Sequence, residues 1–180
     1  MSEQEQIYGI AATFGNEERL LDAAKCAYAE GYRKMDAYAP YPVKGLAEAI
    51  GMNSTRMPLI VLIGGITGAV TAVVLQMYAA VWHYPQNIGG RPYLSWPAFI
   101  PVTFELTVLF AAIFGVVGML WLNGLPEPYH PMFNVREFRQ HGSQDRFFLC
   151  IEAADPKFDR QGTEQFLANL GAQGVTVVEP

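Results

Sequence analysis

Two uninterrupted apolar runs divide the chain. Pro58 to Trp82 is 25 residues without an acidic or basic side chain, and Ala98 to Leu122 is another 25 in which Glu105 is the only formal charge. At about 1.5 Å of rise per residue each run makes a helix roughly 37 Å long, enough to cross a hydrocarbon core of about 30 Å with some tilt. The pattern predicts two transmembrane helices, 58–82 and 98–122, joined by a loop at 83–97. Two such helices buried inside a soluble protein would need far more covering chain than the 57 residues before them and the 58 after them.

Outside these runs the period of the apolar positions changes. "QIYGIAATF" (6–14) reads as a strand, and Asn16, followed by Glu17 and Glu18, is the start signal for a helix over "EERLLDAAKCAYAE" (17–30). Leu20, Leu21, Ala24 and Tyr28 recur at helical spacing, and Gly31 supplies the stop. "RKMDAYAPYP" (33–42) reads as a second strand ended by prolines, and "VKGLAEAIGM" (43–52) as a short amphipathic helix leading to the first span. After the second span a proline-rich linker, "GLPEPYHPMF" (124–133), precedes a strand at 146–153, a helix at 159–171 and a final strand at 175–180. The order strand, helix, strand thus occurs on both sides of the apolar hairpin. Neither half buries both faces of a sheet alone, so the expected fold class is an α+β membrane protein. A split ferredoxin-like βαβ-βαβ domain would be built from 1–57 and 123–180, with a two-helix transmembrane hairpin inserted between its halves.

Charge adds a direction. Of the 12 Lys and Arg residues, six precede the first span, five follow the second, and only Arg91 lies in the loop between them. The positive-inside rule then places both termini and the soluble domain in the cytoplasm, and the 83–97 loop on the periplasmic side. Trp82, Tyr84, Tyr93 and Trp96 flank that loop as an aromatic belt. The first 50 residues contain no apolar stretch suited to a signal peptide. Cys26 and Cys150, without a CxxC spacing and in a reducing compartment, are expected to be buried small hydrophobes. A net charge of −5 offers no basic footprint for nucleic acid.

The search for resident chemistry returns little. His83, His130 and His141 all lie outside the apolar runs, and no pair has the spacing that sets two imidazoles on one helical face for haem. Two cysteines are too few for an iron–sulfur cluster. "GGITG" (64–68) lacks the Lys and Ser or Thr of a phosphate-binding loop and lies inside a span. Gly64, Gly68 and Ala72 read instead as a ridge of small residues for close helix approach, with Ala111 and Gly115 as the facing ridge. No catalytic or metal-binding set emerges, and no cofactor is expected in this chain.

Glu105 is the anomaly. A carboxylate near the bilayer centre costs about 2.5 to 3.5 kcal/mol on insertion scales, so it should face protein or water. It lies seven residues from the start of its predicted span, and Gln76 lies six from the end of the other, at nearly equal depth. A Gln76 to Glu105 hydrogen bond tying the hairpin together is one expectation. A protonatable station, or a contact to a neighbouring subunit, is the other. His130 at the inner boundary is a further candidate for proton exchange, against its reading as a hydrogen-bonded linker residue.

The paired stretches "GGITGAVTAVVLQ" (64–76) and "FIPVTFELTVLFAA" (99–112) are bracketed by "YGIAATF" (8–14), "DAYAPYPV" (36–43), "PYHPMFN" (128–134) and "DRFFLCIEAADPKFD" (145–159). Together they resemble the ActD subunit family of bacterial alternative complex III across nearly the whole chain. The resemblance implies a non-catalytic accessory subunit of a membrane-bound quinol:electron acceptor oxidoreductase of a respiratory or photosynthetic chain, in the bacterial cytoplasmic membrane. Haem c, iron–sulfur clusters and quinol are then expected in the partner subunits, chief among them a polytopic quinol-binding membrane subunit. Glu105 and Gln76 become membrane polar residues in a complex expected to move protons. The rival is a ligand-sensing membrane protein with a ferredoxin-like cytoplasmic domain, which would work without such partners. A small channel lined by Glu105 is a third reading and would need several copies to form a pore.

Overall fold

The computed structural model describes residues 7–52 and 54–180. The chain divides into two compact units: residues 1–54 with 128–180, and residues 55–127. Gln6, the first residue of the predicted opening strand, lies outside the described residues.

The discontinuous unit is built on a four-stranded antiparallel sheet. Its strands are β1 (Gly9–Phe14), β2 (Met35–Tyr38), β3 (Phe147–Glu152) and β4 (Gly174–Val178), in the spatial order β2-β3-β1-β4. The central pair joins the two ends of the chain, Gly9 opposite Glu152 and Phe14 opposite Phe147. Neither half of the sequence therefore has a sheet without the other. Alternation along each strand sends one set of side chains to each face. Ile10, Ala12, Phe14, Phe147, Leu149 and Ile151 meet α1 (Glu17–Glu30), which contributes Leu20, Ala23, Ala24 and Ala27, and Leu167 from the later helix α6 (Arg160–Asn169). Burial of these side chains, several at 0% exposure, is the main stabilisation of this unit, at roughly 1.5 to 3 kcal/mol for each large aliphatic or aromatic one.

α1 starts and stops where its local chemistry dictates. The Asn16 side chain accepts from the Arg19 N–H at 2.9 Å, and Gly31 takes the left-handed conformation at φ 113°. Asp159 caps α6 in the same way, accepting from the Gly162 N–H at 2.7 Å. The predicted helix at 43–52 shrinks to a single turn, α2 (Leu46–Ala49), because Gly45 and Gly51, both at positive φ, close in on it from either side.

The opposite face of the sheet is covered by residues 131–141, of which only 131–133 belong to the predicted linker at 124–133. Pro131–Asn134 forms a 3-10 turn and Arg136–His141 a short helix, α5. Met132 and Val135 pack with Ala11, Phe148, Cys150 and Val178, with Tyr8, Tyr38 and Phe138 at the margin. All six residues of β1 are buried for this reason. Cys150 lies in this layer as expected, but Cys26 is exposed, against expectation. α1 directs Leu20, Ala23, Ala24 and Ala27 to the sheet, and a residue two positions beyond Ala24 is carried to the far side of the helix.

The second unit is a helical hairpin. α3 (Met57–Met77) continues through a π-helical segment, Tyr78–His83, and α4 runs from Trp96 to Leu122. Each is a helix of 27 residues, long and apolar enough to cross a membrane. Leu59, Ile66, Val74, Phe104, Val116 and Trp121 are all more than half exposed on this unit, an arrangement stable in lipid and not in water.

Candidate functional site

The α3–α4 seam is set by glycine. Gly64, Gly68 and Ala72 are the buried residues of α3. A Cβ on Gly64 would stand 2.6 Å from the Phe114 Cβ, and one on Gly68 would collide with the Leu106 carbonyl oxygen and approach the Phe110 Cβ to 2.8 Å. The ridge thus fits against the backbone of α4 at Leu106, Phe110 and Phe114. Ala111 and Gly115, the expected facing ridge, lie one position round: Ala111 sits 3.8 Å from the Cβ position of Gly65, and Gly115 opposes Val61. Gly118 continues the close approach against Ile60.

At the other end of the seam one polar residue is shared. The two N–H groups of the Gln76 amide are shared among three acceptors, the Thr103 hydroxyl at 3.2 Å and the Phe99 carbonyl at 3.3 Å, both on α4, and the Ala72 carbonyl at 3.1 Å in its own helix. Thr107 returns its hydroxyl proton to the Thr103 carbonyl at 2.6 Å. Gln76 therefore does tie the hairpin together, but to Thr103 and Phe99 and not to Glu105.

Glu105 is exposed on the hairpin. The seam positions of α4, Thr103, Leu106, Phe110 and Phe114, define one face; at 100° per residue Glu105 lies roughly 140° away from it, nearly on the opposite side. Pro101, Leu109 and Ala112 share its face. The carboxylate is nine residues into α4, about 13 Å along the axis.

The third predicted residue belongs to the sheet unit. His130 caps the 3-10 turn, its Nδ1 accepting from the Met132 N–H at 3.3 Å, while its Nε2 lies 3.4 Å from the hydroxyls of both Tyr8 and Tyr38. With Nδ1 accepting, the network assigns the ring proton of a neutral imidazole to Nε2, which then donates toward a tyrosine oxygen. Burial, followed by the nearby Asp36 carboxylate, pushes the Tyr38 hydroxyl well above its ordinary value, so it stays protonated. Burial also pushes the neighbouring Cys150 thiol up to about 12, with Glu152 and Asp36 adding to the effect. This cluster holds the turn onto the sheet; its two tyrosines come from β2 and from the residue just before β1, which no local sequence signal connects to His130. Among the described residues no three of His, Cys, Asp and Glu gather closely enough to hold a metal ion.

A second carboxylate is structural. Asp155 is 5% exposed and accepts from the backbone N–H groups of Arg33 and Lys34 at 2.6 Å each and of Lys157 at 2.8 Å. Burial works against its ionisation, but these three donors outweigh it and hold its carboxyl below the usual range. The loop before β2 is thereby fastened to the loop after β3.

No curated protein matches the chain. The family described as "Alternative complex III, ActD subunit" matches residues 8–177, from the first residue before β1 to the penultimate residue of β4. The protein belongs to the ActD family and is a subunit of alternative complex III, an electron-transport complex of the membrane.

Proposed function

We propose that this chain is a cofactor-free, non-catalytic anchor of the quinol-oxidising complex, and that α4 docks a larger polytopic subunit through the face that carries Glu105. The carrying observation is the direction of that carboxylate. The Gln76 N–H groups are taken up within the hairpin, whereas Glu105 points away from α3, where lipid would leave it without a partner at a cost of about 2.5 to 3.5 kcal/mol or more. A hydrogen-bond donor on a neighbouring transmembrane helix removes that cost, and Ala112 on the same face permits close approach.

The α/β unit is read as a split ferredoxin-like domain. Strand order β2-β3-β1-β4 with α1 and α6 as the crossover helices supports this. The distribution of cations supports a cytoplasmic position for this unit and for both termini, with 83–97 on the periplasmic side. Transmembrane spans over 58–82 and 98–122 fit within the helices 57–83 and 96–122. The rival sensor requires an accessible sheet face, and Met132, Val135 and Phe138 cover the face that α1 and α6 leave.

Glu105 and, in the other unit, His130 are the candidates for proton transfer. Glu105→Gln and Glu105→Leu in the assembled complex separate the roles. As an anchor, Glu105→Gln retains this subunit in the purified complex and Glu105→Leu lowers its retention several-fold. Normal assembly and quinol oxidation in Glu105→Leu would contradict the docking role. Loss of turnover in a fully assembled Glu105→Gln complex would assign the proton to this carboxyl.

A further inference from the structure

Where α3 begins and α4 ends, the hairpin has an apolar groove of about 500 Å3. Leu59 and Ile63 form one wall and Ile113 and Val117 the other, and Gly118, pressed against Ile60, leaves the floor low. At the mouth stand Trp121 and Arg56, the residue that precedes the first turn of α3. Arg56 is exposed and its guanidinium has no hydrogen bond or ion pair with the described residues.

Size narrows the occupant. Ile113 to Leu122 spans about 13 Å of helix axis, close to the roughly 15 Å of one bilayer leaflet. The groove thus runs about the depth of one leaflet, and its apolar walls suit a single hydrocarbon chain lying along it. Charge narrows it further, because the cation stands at the end of the groove where α3 and α4 reach the membrane surface, beside a tryptophan of the kind that settles at headgroup depth. A guanidinium fork matches a phosphate oxygen pair.

We infer that this groove binds one acyl chain of an anionic phospholipid, with its phosphate against Arg56. The inference rests on α3 and α4 spanning the membrane and is independent of what Glu105 faces. The geometry makes the subunit a lipid-holding element at one surface of the bilayer, with the groove walls selecting an acyl chain and Arg56 selecting the headgroup charge.

A photoreactive amino acid in place of Leu59, a side chain 58% exposed, tests this in the intact complex in native membranes. After irradiation and purification through a tag on this chain, mass spectrometry of the labelled peptide should find adducts enriched at least about fivefold in anionic phospholipids over their membrane share. Arg56→Gln should bring that enrichment to about one while lipid adducts persist, and Ile63→Trp should reduce total lipid adduct several-fold with the subunit still incorporated. Adducts to a peptide of another subunit, or lipid adducts in bulk proportion from the parent chain, would overturn the proposal. Recovery of the chain in the soluble fraction would overturn the membrane placement itself, which fractionation detects before any cross-link is read.

Discussion

Phe148 and Phe104 are the same side chain in opposite circumstances. In the sheet unit Phe148 is 0% exposed, enclosed by Met132, Val135 and Phe138 from a segment that follows the hairpin in sequence. In the hairpin Phe104 is 68% exposed, one residue from Glu105. The first unit completes its core with its own chain, drawing on both ends of it. The second closes only the seam between its two helices: its outer apolar surface and Glu105 are left for lipid or for another subunit. The difference teaches where each unit's specificity resides, in internal packing for the sheet and in outward contacts for the hairpin.

Truncation of the two phenylalanines is the strongest way to break that contrast. Phe148→Ala should destabilise the sheet unit by about 3 to 5 kcal/mol, and Phe104→Ala should leave its unfolding unchanged, as read by denaturant titration of the detergent-solubilised subunit. Equal effects would mean that the two surfaces are not differently covered. Next in size is Gly68→Leu. Overpacking of this kind costs about 1 to 3 kcal/mol, and here the added carbons meet the Leu106 carbonyl and Phe110, so the hairpin should open and the subunit should be lost from purified complex.

Asp155→Ala strips three backbone donors of their acceptor and should cost the sheet unit about 2 to 3 kcal/mol at neutral pH. Because the folded carboxyl lies below its unfolded value, its contribution is complete above that unfolded value, near 4, and is lost as the pH falls through the folded one. Acid titration of the parent chain should therefore show a destabilisation below about pH 4 that Asp155→Ala lacks. The smallest effect belongs to Gln76→Leu. Interhelical hydrogen bonds in membranes average about 0.6 kcal/mol, so SDS titration should detect a loss of about 1 kcal/mol or less.

Much of this was legible in sequence where one local signal decides the outcome. Asn16 and Gly31 bound α1 without reference to anything else, and uncharged length sufficed to find the two long helices. The register was not legible, because β1 pairs with β3 across more than 130 residues and no local feature encodes which residues meet. Residues 131–133 were hidden by Pro131, which suits a 3-10 turn as well as a linker, and the part that 131–141 plays in covering the second sheet face depends on the sheet already being there. Gln76 and Glu105 show a sharper lesson. Equal depth in two helices fixes height but not azimuth, and the glycine ridge at Gly64 and Gly68 had already chosen the α4 face bearing Thr103. The polar partner of Gln76 had to lie on that face, which Glu105 does not.

The account depends most on the direction in which the Glu105 face of α4 looks. A photoreactive residue at Leu109, on that face and 54% exposed, can be irradiated in the native complex, with the same residue at Thr107, on the side toward α3, as the internal control. The account predicts that Leu109 forms an adduct with a transmembrane segment of another subunit and Thr107 does not. Lipid adducts alone at Leu109 would contradict it.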